Sequence, residues 1–139
     1  MSVFDQLEEL TREICDAFDV YAPPVPIEIM LQKPVNNMWE ELDPSQLSGS
    51  FMRVDGRYSP RMSLTRLLAR HILQSAWGKS RDLQALIPDT EMLNVFARML
   101  IMPQDMVAGL ASSSRNPKAM SLHFEVPEEE ARQRLIELI

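Results

Sequence analysis

Cysteine occurs once in the chain, at Cys15, so neither an intramolecular disulfide nor a cysteine-rich metal cage can be built. Long hydrophobic runs are missing too: no stretch approaches the ~18 consecutive apolar residues of a membrane span. Near the N-terminus, Glu8 and Glu9 stand where a secretory signal would carry a basic region and then an unbroken apolar run. No secretion signal is read there, and a cytoplasmic location with no membrane association is expected. Basic charge is in deficit, with 14 Lys plus Arg against 20 Asp plus Glu and a formal net charge of −6. A nucleic-acid binder draws phosphate to a basic face, so this balance argues against nucleic acid as the partner. Internal repeats and low-complexity segments are absent.

What is present is enough for one core. A chain of 139 residues with 45% hydrophobic content supports a single domain and leaves little room for a second. Phe4, Leu7, Leu10, Ile14 and Phe18 recur at spacings of three and four, which predicts an amphipathic helix over Val3 to Phe18. The prolines of Tyr21-Ala-Pro-Pro-Val-Pro26 break it, and a short helix over Ile27 to Leu31 follows, ended by Pro34. Beyond Pro60 the pattern is helical again: Met62 to Trp77, Thr90 to Met102 and Pro103 to Ala111, with Gly78 and Pro88 as stops. Ala111 to Asn116 carries no apolar anchor beyond its first residue and is expected to be a disordered polar loop. Pro117 to Glu125 and Pro127 to Ile139 read as a closing helix pair, with Ala131, Leu135 and Leu138 on one face of the second.

Between Val35 and Pro60 the pattern turns strand-like. Met38-Trp-Glu-Glu-Leu42 is one candidate strand, and Ser50 to Tyr58, turning at Asp55-Gly56, has the look of a hairpin. The fold class expected is therefore α+β, mostly helical, with a small antiparallel sheet between the N-terminal helices and the helix that follows Pro60.

Pro24 to Met30, Arg61 to Leu73 and Asn94 to Pro103, taken in that order, resemble three segments of the ImmA/IrrE family of bacterial zinc-dependent regulatory peptidases. Pro24-Val-Pro-Ile-Glu-Ile-Met30 is similar to that family's proline-containing entry to its second helix. Arg61-Met-Ser-Leu-Thr-Arg-Leu-Leu-Ala-Arg-His-Ile-Leu73 is similar to R-F-T-L-A-H-E-L-G-H-L-L-L. Asn94-Val-Phe-Ala-Arg-Met-Leu-Ile-Met-Pro103 is similar to E-A-N-x-F-A-A-E-L-L-M-P from its N onwards. A weaker likeness links Val126 to Leu135 with the closing V-S-x-x-A-x-x-x-R-L. The resemblance implies a zincin-type scaffold over the whole chain, with a peptidase-like core in residues 1–111 and a C-terminal helix pair in 117–139. It also implies protein partners of the kind this family serves, transcriptional repressors or related regulators.

The same resemblance withholds the chemistry. In an H-E-x-x-H helix the histidines sit one turn apart so that both reach one Zn²⁺, and the Glu acts as general base on bound water. Those positions hold Arg66, Leu67 and Arg70 here, and the third-ligand Glu is replaced by Met92. Arginine has no lone pair to offer, two guanidinium groups repel a dication, and leucine moves no proton. A register shifted by one would put His71 on the second histidine, but it would leave Leu67 and Leu68 on the first histidine and the Glu and lose the matches at Arg61, Ser63 and Leu64. The unshifted register is adopted: no metal, no cofactor, no catalytic residue, and a pseudopeptidase that binds a protein without cutting it.

Other residues offer roles beside a purely structural one. Arg66 and Arg70 could clamp a carboxylate in the former cleft, or lie solvated on a helix face. Trp39, Phe51 and Tyr58 could line a peptide or partner groove along the expected sheet, or simply satisfy strand propensity. Met92, Met99, Met102 and Met106, at helical spacings, could form an adaptable surface but suit a core better. His71 and His123 could titrate near neutral pH or be hydrogen-bonded parts of the structure. An unrecognised hydrolase would draw on Glu28, Glu40, Glu41, Asp43, His71 or Glu91, whose spacing favours nothing. The closing helix pair could read DNA through Arg132 and Arg134, against the three carboxylates Glu128, Glu129 and Glu130 that open its second helix. The apolar end Leu135-Ile-Glu-Leu-Ile139 and the methionines are compatible with a homodimer.

Overall fold

The computed structural model describes residues 2–42 and 58–139. The chain begins with α1 (Val3–Phe18), α2 (Ile27–Gln32) and a 3-10 turn at Val35–Asn37. It resumes with α3 (Ser59–Gln74), α4 (Ala76–Ser80), α5 (Leu83–Leu86), α6 (Thr90–Ile101) and α7 (Gln104–Ala108). After a second 3-10 turn at Ser112–Ser114 come α8 (Pro117–Phe124) and α9 (Glu128–Glu137).

Local chemistry sets most of these boundaries. Ser2 caps α1 by accepting from the Asp5 N–H at 3.1 Å, and Asp19, left-handed at φ 56°, ends that helix with its N–H on the Asp16 carbonyl. Asp89 caps α6 through the Met92 N–H at 2.9 Å, and Asn116 caps α8 through the Ala119 N–H at 2.9 Å, with Pro117 at its first turn. Gly78 does not stop a helix but sits inside α4, where a Cβ would lie 2.1 Å from the Ile72 carbonyl oxygen. That close approach lets α4 fold directly back on the end of α3, with Ser75 capping the Gly78 N–H at 2.9 Å. The Ala111 to Asn116 segment is ordered by its own polar groups: Arg115 donates to the Ala108 carbonyl at 2.6 Å and Asn116 to the Ser113 carbonyl at 2.9 Å.

The expected α+β class is not what is found. Among the described residues every regular element is helical and there is no strand. Met38 to Leu42, expected to be a strand, is an irregular segment wrapped on the end of α2. Its polar groups go there instead of to a sheet ladder: the Leu42 N–H donates to the Leu31 carbonyl at 3.0 Å and the Trp39 indole N–H to the Met30 carbonyl at 3.0 Å. A strand would place neighbours on opposite faces, whereas Met38 and Trp39 both turn inward and Glu40 and Glu41 both outward. The hairpin expected over Ser50 to Tyr58 lies outside the described residues except for Tyr58, which has φ 68° and precedes α3 as its cap.

The core is one cluster in which α3 packs along α6, α2 lies against α3, and α8 pairs with α9. Helices α1 and α9 each close on α6, whose Phe96, Ala97, Met99 and Ile101 are fully buried. One side chain holds three of these parts together. Arg61 on α3 grips both carboxylate oxygens of Glu28 on α2, at 3.1 and 3.0 Å. It also donates to the main-chain carbonyls of Val25 (2.9 Å), Phe124 (3.3 Å) and Glu125 (3.2 Å). With its side chain only 15% exposed, its loss would strand carbonyls at the entry to α2 and at the α8–α9 turn. Arg61→Ala is expected to lower the free energy of unfolding by about 2–4 kcal/mol. Arg61→Lys, a point charge that cannot reach four groups in a plane, should recover less than roughly half of that, as read by urea denaturation.

Candidate functional site

The positions that the zinc-peptidase resemblance singles out fall on α3 and α6, the two helices that pack most extensively on each other. Arg66 is partly buried, and its guanidinium Nη2 donates to Oε1 of Glu130 on α9 at 2.9 Å. Leu67 is half-buried, Arg70 is exposed and Met92 is half-buried near the start of α6. The two arginines therefore have separate fates: Arg66 is engaged across the helix interface, whereas Arg70 faces solvent, and they do not form the anion clamp that their spacing allowed.

Glu130 joins Arg66 to a wider network. Its Oε2 lies 3.6 Å from Arg98 Nη1 on α6. Arg98 in turn donates to both oxygens of Glu137, at 2.6 Å for the shortest contact. The side chains of Arg98, Glu130 and Glu137 are 12%, 15% and 10% exposed. The Arg66–Glu130 and Arg98–Glu137 bonds are charge-assisted and hold α9 onto α3 and α6, while Glu130 Oε2 has no hydrogen-bond partner among the described residues. Beside it opens a cleft of about 370 Å³ lined by Ser59, Met62, Ser63, Arg66, Glu129 and Glu130. Among the described residues no group of three or more His, Cys, Asp or Glu stands where it could hold a metal ion.

The groove residues do not come together as expected. Trp39 is 4% exposed, stacked on Phe18 at 5.4 Å between ring centroids, and is part of the core. Tyr58 is half-buried at the entry to α3, and Phe51 lies outside the described residues. The hydrolase candidates are likewise scattered: Glu28 is held by Arg61, Glu40, Glu41 and Glu91 are exposed, and His71 is half-buried on α3, while Asp43 lies outside the described residues. His123 is exposed on α8. The methionines divide, with Met99, Met102 and Met106 buried and Met92 only partly so.

The closing helix pair forms as expected, but one of its two arginines is not at the surface. Arg134 is fully buried, donating from Nη2 to Glu8 Oε1 at 2.8 Å and from Nε to the Met102 carbonyl at 2.9 Å. Its Nη1 has no hydrogen-bond partner among the described residues. Arg132 is exposed and paired with Glu129 at 2.9 Å. A recognition helix whose first turn is three glutamates and whose second arginine is interior presents little to phosphate. The Glu8–Arg134 pair was missed from the sequence, although a signal exists: Glu8 shares the buried stripe of Leu7, Thr11 and Cys15, and Arg134 that of Ala131 and Leu138.

Compared with protein families, with characterised proteins and with solved structures, the chain matches none of them.

Cys15 sits on the same face of α1, 7% exposed, and burial pushes its thiol up to about 11 from the ordinary 9.0, with Asp16 and Asp105 adding to the effect. Alkylation by iodoacetamide at pH 8 should run at least about tenfold slower in the native protein than in urea, and its rate should climb with pH toward 11 rather than level off near 9. Because folding holds this thiol protonated, its contribution to stability is complete below 9.0 and lost as the pH rises toward about 11. Arg134→Met, which leaves Glu8 buried without its cation, should destabilise by about 3–5 kcal/mol, and adding Glu8→Leu should restore more than about half; a double-mutant cycle in urea measures both.

Proposed function

We propose that this chain is a non-catalytic protein-interaction module: a scaffold that resembles the zinc-dependent regulatory peptidases in the order of its segments and carries a structural contact at Arg66, where those enzymes carry their first ligand. The observation that supports it most is the bond from Arg66 to Glu130 at 2.9 Å. The position of the first histidine is occupied by a cation bound to a carboxylate of another helix, an arrangement that braces the fold and repels a dication. The packing of α3 on α6 adds support, since in the resemblance these helices would bring the ligands together. The open cleft beside Arg66, lined by hydroxyls, carboxylates and Met62, is the surface that a partner would use. By the same resemblance the partner is a transcriptional repressor or related regulator, met in the cytoplasm. No helix among the described residues is long and apolar enough to cross a membrane.

Metal content and peptidase activity of the purified, untagged protein test the reading. Less than about a tenth of an equivalent of zinc, with no cleavage of an unstructured protein substrate, is the expected result. Near one equivalent, surviving dialysis and lost in His71→Ala, would show that the register is wrong and that the protein is an enzyme. A combined variant, Arg66→His, Leu67→Glu, Arg70→His and Met92→Glu, should gain near-stoichiometric zinc while keeping its helical circular dichroism; native helicity without zinc uptake would sink the resemblance.

A further inference from the structure

A cavity of about 300 Å³ opens between α1 and the start of α7. It shares no lining residue with the cleft beside Arg66, so the two sites are independent of each other. Its apolar side is formed by Cys15, Val20 and Met106, and its polar side by Glu8, Asp16 and Asp105. At this size it is too small for a helix and roomy enough for one long side chain.

The charges around it are unequal. Arg12, the basic residue in its wall, is taken by Asp105 through bonds of 2.8 and 3.2 Å, and that guanidinium holds the Asp105 carboxyl below the usual carboxylate range. Glu8 is 8% exposed, lines the cavity and is paired with the buried Arg134 at 2.8 Å. Asp16 is exposed at the rim. Two further concavities continue along the same helix, one lined by Glu9, Glu13 and Asp16 and the other by Asp5, Glu8 and Glu9. Their arginines are Arg12 and Arg81, and Arg81 is already bound to Glu13 and stacked over Trp77 at 4.0 Å. A carboxylate in the wall, an apolar side beside it and the exposed carboxylates Asp5, Glu9 and Asp16 along α1 select one chemistry: a cation on an aliphatic stem.

We propose that this cavity receives an arginine or lysine side chain from a basic segment of a partner protein. The stem lies on Cys15, Val20 and Met106, the head bonds to Glu8 and Asp16, and neighbouring basic residues of the segment run along Glu9 and Asp5. Long basic side chains pack their methylenes on apolar surface while the head stays with its counter-charge, so stem and head are both satisfied. A planar guanidinium can also span two carboxylates.

The test is a titration of the ¹⁵N-labelled full chain, followed by amide chemical shifts, with the peptide acetyl-Gly-Arg-Leu-Arg-Gly-amide and with its counterpart carrying glutamine for arginine. Saturable shifts confined to residues 5–21 and 103–106, with the glutamine peptide at least about tenfold weaker, are expected. Asp16→Lys, an exposed change that leaves the core alone, should weaken the arginine peptide by about tenfold or more. Glu91→Lys makes the same change in net charge on α6, outside these three concavities, and should leave binding unaltered. Equal binding of the two peptides, equal weakening by both lysine variants, shifts located elsewhere, or no shift at about 5 mM peptide would each overturn the proposal.

Discussion

The fold closes on a buried ion pair between its first and last helices. Arg134 reaches Glu8 across 126 positions of sequence and at the same time holds the Met102 carbonyl, where α6 ends. Isolated charges are not tolerated in such a place, because removal from water costs several kcal/mol per ion and is offset only when geometry and further hydrogen bonds compensate. The pair therefore constrains everything near it: α1 and α9 must meet at this register, and α6 must end beneath them. The Arg98–Glu137 and Arg66–Glu130 contacts repeat the constraint elsewhere along α9. The result is a terminal helix fixed by arginines rather than by apolar packing alone, which suits a helix whose fully buried residues are Ala131 and Arg134.

Arg61 does for the other end of the molecule what Arg134 does here. A planar, permanently charged group with five donors is the one side chain able to satisfy Glu28 and three carbonyls together. Arginine in this chain is thus largely an internal fastener, and that bears on function. Arg61, Arg66, Arg98 and Arg134 are consumed by the fold, while the outer face of α1 keeps Asp5, Glu9 and Asp16 in the open. The acidic balance of the composition becomes, in three dimensions, a directed surface.

Much of the helical plan could be read from spacing and punctuation. The Val3–Phe18 helix follows from its apolar stripe, and Thr90–Ile101 and the closing pair follow from the stop at Pro88 and from Pro117 and Pro127. The short helices at Ala76–Ser80 and Leu83–Leu86 escaped because each is under two turns, too brief for a period to show. Met38 to Leu42 was misread for a related reason: five residues are too few for a period to show, and Met38 with Trp39 inward and Glu40 with Glu41 outward is not the alternation a strand requires. What excludes a strand there is the destination of its hydrogen bonds, to Leu31 and Met30, which no local pattern reports.

The candidate site shows the same division. Residue identity alone determined that Arg66, Leu67, Arg70 and Met92 cannot assemble a zinc centre, because ligand chemistry belongs to the side chain wherever it is placed. Only the tertiary structure decided that Arg66 braces α9 while Arg70 faces water, that Trp39 belongs to the core, and that Glu8 and Arg134 meet inside the protein. Those outcomes depend on contacts between segments far apart in the chain. Their energies come from desolvation and from paired geometry, and neither is a property of any one residue or of its neighbours in sequence.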